Sequence, residues 1–419
     1  MERTNVDLVE PEAQSGVANL TAAFEKHFGA APSLLVRAPG RINLIGEHTD
    51  YNGGMVFPLA IDRTVLIAAL PVVRADGTIR VYSVDFNAEG SFDPKNITHV
   101  TTPRLKWLNY VTGTLWALEQ KGLLEAGAVP AADIVITGNV PQGAGLSSSA
   151  AIETACAYLF QLLGGRGPAQ IDKVQMALAC QYAENKFVGA NTGIMDEFIS
   201  ALGQTDAALL IDTNTLEYRA VPLGFDKLGL KIVAVDSAVP HTHASSGYNQ
   251  RRAEAEAALQ MLIPLLNLPA TTQLCKITPA QFATVADQLP LINRKRARHA
   301  ITEQARVLEA VQVLEAGLQT PAELSKFGEI INQGHFSLRD DYEVSVPQVD
   351  LLVELAQKCE GVIGARMTGG GFGGCTVNIV KDEALPTFEE QVVNAYRHET
   401  GLPARMFVCR AVEGVSTVS

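Results

Sequence analysis

The segment DIVITGNVPQGAGLSSSAAIETACAYLF, residues 133–160, constrains this chain more than any other stretch. It reads as an apolar strand, a turn carrying Gly143 and Gly145, three serines (Ser147, Ser148, Ser149) and then a periodic apolar helix. Glycines let the backbone approach a ligand closely, serines cap the helix, and the free N–H groups with the helix dipole favour an anion. The segment is therefore a phosphate cradle on physical grounds. No lysine precedes the serines, so it is not a Walker loop, and it does not fit G-x-G-x-x-G either. A plain turn with a serine cap would also read G-x-G-x-S, but one serine suffices to cap and three are present.

A second stretch, GRINLIGEHTDYNGG at residues 40–54, follows the apolar run SLLVRAP and gathers Arg41, Glu47, His48 and Asp50 within ten positions. A helix would scatter four such side chains, whereas a loop leaving a strand can aim them at one point. Polar groups so aimed suit a small polar molecule. In QYAENKFVGANTGIMDEF, Glu184 closes a helix, where its charge opposes the macrodipole unless a cation such as Mg²⁺ lies beside it; a solvated glutamate is the plainer alternative. Asp196 in the same stretch reads either as a site residue or as the N-cap of EFISALG. Five glycines in the six positions 369–374 imply close approach to phosphate or tight strand packing.

Strand-like runs such as TVLIAAL, ALLIDT and KIVAVDSA alternate with helical stretches without a strict βαβ repeat, so the fold class is α+β. The turn-rich VPLGFDKLG at residues 221–229 divides the 419 residues into expected domains 1–225 and 226–419. The formal charge of −12 argues against nucleic acid or an anionic membrane as partner, and no apolar leader or membrane-length run is present. Six cysteines without a C-x-x-C pair suggest neither zinc nor a disulfide framework and fit the cytoplasm. The basic NRKRARH at residues 293–299 reads as a solvated face, His241 and His243 lack a third metal ligand, and the Asn96 sequon carries no meaning in a cytoplasmic chain.

Together these motifs resemble the galactokinase family of the GHMP small-molecule kinases over nearly the whole chain. GRINLIGEHTDYNGG is similar to the family's signature, VPQGAGLSSSA to its ATP loop, MTGGGFGG to its C-terminal motif, TGIMDEF to its acid-bearing segment and SAVPHTHASSGYNQRR to its tyrosine-bearing segment. The family's frequent cysteine before GIMD is Thr192 here. The resemblance implies a two-domain fold, a mixed-sheet N-terminal domain and a ferredoxin-like C-terminal domain with the active site between them. It implies ATP-dependent phosphorylation of the C1 hydroxyl of galactose by a cytoplasmic monomer using Mg²⁺.

Carried over by matching residues, the resemblance makes Asp196 the base and Arg41 its partner beside the transferred phosphate. Glu47, His48, Thr49, Asp50, Gly193 and Tyr248 become sugar-binding residues, and Ser148 and Glu184 metal ligands. Gln142, Gly143, Ala144, Gly145, Leu146, Ser147 and Ser148 wrap the triphosphate, while Ser83 and Trp107 belong to the adenine pocket. An aspartate beside an arginine has a depressed pKa and is a weak base, so taking the proton and merely orienting the hydroxyl both stay open. A kinase for a related sugar would share every motif. A non-turnover sugar sensor is disfavoured by the intact serine run, and a homoserine or mevalonate kinase by the GEHTDYN signature.

Overall fold

The computed structural model describes residues 10–239 and 244–418. A six-stranded sheet organises the first half, in the order β13-β1-β3-β6-β4-β5. Its members are β1 (Leu34–Asn43), β3 (Pro58–Pro71), β4 (Ile79–Ser83), β5 (Ala88–Phe92), β6 (Ala132–Gly138) and, from the far end of the chain, β13 (Ser416–Thr417). Every neighbouring pair is antiparallel except β4 and β6. A smaller antiparallel sheet joins β2 (Met55–Val56), β7 (Ala207–Asp212) and β8 (Tyr218–Pro222).

Helix α1 (Glu10–Phe28) packs on β3 and β6. Four more helices, α2 (Leu108–Gln120), α3 (Ser148–Leu163), α4 (Lys173–Ala183) and α5 (Met195–Leu202), form a bundle against β1 and β3. The sequence of α3 is apolar nearly all round, and the helix is correspondingly buried among its neighbours. That burial fixes the direction in which its serine-rich start points.

The turn-rich stretch after β8 leads into β9 (Leu230–Asp236), the first strand of a four-stranded antiparallel sheet. With β10 (Val362–Met367), β11 (Cys375–Lys381) and β12 (Arg405–Cys409) the order is β10-β11-β9-β12, the ferredoxin-like arrangement. The long β9-to-β10 connection carries α6 (Ala244–Leu265), α7 (Pro279–Ala283), α8 (Leu291–Ala316), α9 (Pro321–Ser337) and α10 (Pro347–Lys358). Between β11 and β12 come α11 (Leu385–Phe388) and α12 (Ala395–Thr400). Strand β13 then returns to pair with β1, so the last residues of the chain complete the first sheet. One apolar core runs through both halves, from Val36 and Ile67 to Ile331 and Val377, and seats the loops after β1, β6 and β10 against one another.

Candidate active site

Arg41 is aimed by a defect in β1. The register against β3 shifts between Pro39 and Arg41, and Gly40 at that bulge lies so close to the Leu146 carbonyl that a Cβ would sit 2.6 Å from it. The Arg41 amide donates to the same carbonyl at 3.1 Å, which ties the strand to the serine loop. Its guanidinium then grips Asp196 with two arms, Nε to Oδ1 at 2.7 Å and Nη2 to Oδ2 at 2.6 Å, and a third N–H donates to the Gly145 carbonyl. The Ser147 hydroxyl donates to Asp196 as well. Ser147 sits at the N-cap of α3 with φ 61° and makes no cap bond; its hydroxyl is spent on Asp196. The expected serine cap is thus corrected. Nor is Asp196 a cap, because α5 begins one residue before it.

The clamp loop lies on the other side of Arg41. Arg41, Glu47, His48, Asp50, Gly193, Asp196 and Tyr248 line one cavity of about 290 Å³, closed by Gly369, Gly370 and Gly371. His48 adopts φ 63°, a strained conformation of the kind that gathers at functional sites. Its Nδ1 bonds the Tyr51 hydroxyl at 2.8 Å, which reaches the Tyr342 hydroxyl at 2.9 Å, while its buried Nε2 has no partner among the described residues. Burial, helped by His299, pushes the His48 pKa down to about 3, so the ring is neutral. Asp50 packs so tightly on Gly193 that a Cβ there would fall 1.6 Å from Oδ2. Burial and the nearby Asp196 raise the Asp50 pKa to about 6. Burial raises Glu47 to about 7 against the pull of Arg366. Thr49 departs from expectation: its hydroxyl lies 2.7 Å from the Gly46 carbonyl and 2.8 Å from that of Met55, so it shapes the loop and does not face the cavity.

A second cavity, of about 240 Å³, opens beyond the serines and is lined by Ser83, Trp107, Gln142 and Ser148. The sequence missed Asp85, Phe86, Tyr110 and Ser149 in this wall. Asp85 and Phe86 stand in the same VYSVDF run as Ser83 and were within reach of that signal. The Phe86 and Trp107 rings are 15° from parallel with centroids 6.1 Å apart. Gln142 and Gly143 also border a wide outer cleft. Ala144 and Leu146 are buried, so their side chains anchor the loop and only their backbone is available to a ligand.

Glu184 is buried and accepts a hydrogen bond from the Thr192 hydroxyl at 2.9 Å. That rules out the solvated alternative. Ser148 and Ser149 both line the second cavity. Glu153 and Glu197 bring their carboxylates within 4.8 Å of that of Glu184, and burial raises all three pKa values.

The site can be set beside known proteins. Residues 22–71 match the Galactokinase galactose-binding signature, 109–204 the GHMP kinases N terminal domain and 320–398 the GHMP kinases C terminal family. A galactokinase of Roseiflexus sp. (strain RS-1) is 44% identical over 399 residues, 95% of this chain and 96% of that one. The chain belongs to the galactokinase family. A galactokinase of Chloroflexus aurantiacus is 43% identical over 96% of this chain and 98% of its own length. The crystal structure of Lactococcus lactis galactokinase complexed with galactose superposes with a TM-score of 0.86 at 34% identity, covering 96% of this chain and all of that one. Methanococcus jannaschii mevalonate kinase, 19% identical with a TM-score of 0.62 over 91% of this chain and 98% of its own, shares the fold alone.

Within this galactokinase-family fold two other expectations change. The basic stretch 293–299 is only partly solvated, since Arg296 is 1% exposed between Glu254, Glu343 and the Asp341 carbonyl, and His299 is buried beside the clamp loop. Net acidity did not reveal that α8 turns Arg296, Ala297 and His299 inward. His241 and His243 lie outside the described residues.

Proposed function

We infer that this chain is a galactokinase, transferring the γ-phosphate of ATP to the C1 hydroxyl of α-D-galactose. The observation that carries the reading is the Arg41–Asp196 pair, held by four named contacts between the polar clamp cavity and the serine loop. Phosphoryl transfer asks mainly for positioning and charge neutralisation. Asp196 is placed to take or orient the sugar hydroxyl proton, and Arg41 to hold Asp196 and meet the negative charge that develops on the phosphoryl oxygens. The Ser147-to-Asp196 bond keeps the loop's N–H groups beside the acid. On the sugar side, the free Nε2 of His48, the Asp50 carboxylate and the Tyr248 ring suit hydroxyls and a sugar face. Glu47 borders the same cavity and Gly193 leaves room for Asp50. The base of ATP belongs in the Ser83–Phe86–Trp107 cavity and its phosphates along residues 142–148.

Mg²⁺ fits the chemistry present: Glu184, Ser149 and Ser148 offer oxygen donors, and Glu184 adjoins two more buried carboxylates whose ionised forms a divalent cation would stabilise. When bound, the ion supplies neutralisation of the phosphate charge. Six buried free thiols suit a reducing cytoplasm. Among the described residues no helix is long and apolar enough to cross a membrane. The division into domains 1–225 and 226–419 is supported by the second sheet starting at β9, with β13 as the returning tail.

A coupled assay of ADP release with galactose, with the product examined by phosphorus NMR, tests the function. Galactose-dependent turnover giving a C1 phosphate is expected. ADP release that does not depend on galactose, or phosphate on another carbon, would overturn the reading.

A further inference from the structure

Arg366 of β10 is 0% exposed and carries a buried charge that the chemistry above does not use. Its guanidinium sits between two buried carboxylates from opposite halves of the fold. One is Glu47 of the clamp loop, whose Oε2 accepts from Nη2. The other is Glu303 of α8, whose Oε1 lies 2.8 Å from Nη1. Glu303 also accepts the Gly46 amide, at 2.9 Å, and is braced by Arg306 Nε at 2.8 Å. The second oxygen of Glu47 takes the Gly369 N–H at 3.3 Å. Helix α9 makes room for the guanidinium, because a Cβ on Gly334 would lie 2.5 Å from Nη1. Two consecutive residues of the clamp loop are therefore held by three elements of the second half.

A buried ion pair is a poor device for stability, since well-packed apolar residues serve as well or better. Directed donors do something apolar residues cannot: one guanidinium N–H on Oε2 and the Gly369 amide on Oε1 fix the position and orientation of the Glu47 carboxylate. We propose that Arg366, backed by Glu303, is the positioning residue for Glu47, holding the sugar-clamp carboxylate in place across the two halves of the chain and so setting galactose affinity without touching the sugar. The proposal rests on the galactokinase reading of the cavity. The nucleotide cavity has no part in this network, and Arg366 does not line it.

The test uses Arg366→Lys, which keeps the charge but loses the planar guanidinium that directs its N–H at Glu47, and Glu303→Gln, which keeps the shape but loses the charge behind it. Galactose KM should rise at least about tenfold in each, about 1.4 kcal/mol of binding, while ATP KM stays within about twofold. Galactose titrated calorimetrically without ATP should show the same loss. Glu47→Gln added to Arg366→Lys should cost little more, because both act through one carboxylate. An unchanged galactose KM, or galactose and ATP constants rising together, would overturn the proposal and leave Arg366 a structural staple. Should Arg366→Lys fail to fold, Glu303→Gln decides alone. A wild-type enzyme with no galactose-dependent turnover would overturn the reading of the site, a result distinct from any variant's.

Discussion

The cavity around Arg41 and Asp196 and the cavity around Trp107 and Ser148 are built in opposite ways. The sugar-side cavity is ringed by groups whose geometry other residues hold: Arg41 by Asp196 and Gly145, Glu47 by Arg366 and Gly369, His48 by Tyr51. The nucleotide-side cavity relies on two near-parallel rings and the ends of strands, with Asp85 tied back to Thr137 and Gly138 at 3.0 and 3.1 Å. We propose that the difference follows from the ligands. Sugars differ in the direction of single hydroxyls, so a site that tells them apart must bury polar groups that suffer when a hydroxyl is missing. A planar base is held by contact area and stacking, which tolerate small displacements. Substitutions on the sugar side should therefore cost orders of magnitude, and those on the nucleotide side small factors.

The largest effect is expected at the junction. Asp196→Asn keeps a hydrogen-bonding group of the same shape but cannot accept a proton, so turnover should fall by about 10² to 10⁴ while galactose affinity changes a few fold at most. Retention of more than about a tenth of the wild-type rate would reduce Asp196 to an orienting group. Next comes Glu184→Gln, which should raise the Mg²⁺ concentration for half-maximal activity by at least about tenfold and lower kcat; an unchanged Mg²⁺ dependence would remove Glu184 from the metal. On the nucleotide side, Trp107→Ala should raise ATP KM about three- to tenfold, in line with about 0.5–1.5 kcal/mol for ring contacts, and leave galactose KM alone. A hundredfold loss there would break the contrast between the cavities.

The smallest effect concerns stability. Burial pushes His299 down to about 4, and its Nε2 meets the Glu47 carbonyl at 3.1 Å. The unfolded chain takes up this proton near 6.5, the ordinary value. The contribution of neutral His299 is thus complete above 6.5 and is lost as pH falls from there towards 4. His299→Gln should make the drop in Tm between pH 7 and pH 4.5 smaller; an identical drop would mean that the proton uptake occurs elsewhere.

What the sequence revealed, and what it did not, divides along similar lines. Arg41, Asp50 and the serine loop were legible because their function is local: a bulge glycine beside Arg41, a loop of four polar residues, a strand that stops at glycines. The strands TVLIAAL and KIVAVDSA were legible because their apolar residues are buried in sheets. Arg366 was not legible, since its partner Glu47 lies 319 positions away and nothing near it marks an inward-facing charge. Thr49 looked like its ligand-facing neighbours, and only the backbone path shows its hydroxyl meeting two carbonyls. Ser147 could not be singled out from its two neighbours before the left-handed turn at that residue was known, because that turn decides which hydroxyl meets Asp196.

The central claim is that the buried polar groups of the clamp cavity read the sugar, and the most direct measurement of it is the ratio of kcat/KM for galactose to that for glucose, its C4 epimer. We propose that Asp50 and Tyr248 carry the discrimination at that carbon, where a carboxylate in the cavity left without its hydroxyl costs about 1–3 kcal/mol or more. Galactose should be favoured by at least about a hundredfold, 2-deoxygalactose should remain a substrate, and Asp50→Ala should lose nearly all galactose activity. Comparable kcat/KM for galactose and glucose in the wild-type enzyme would contradict the account.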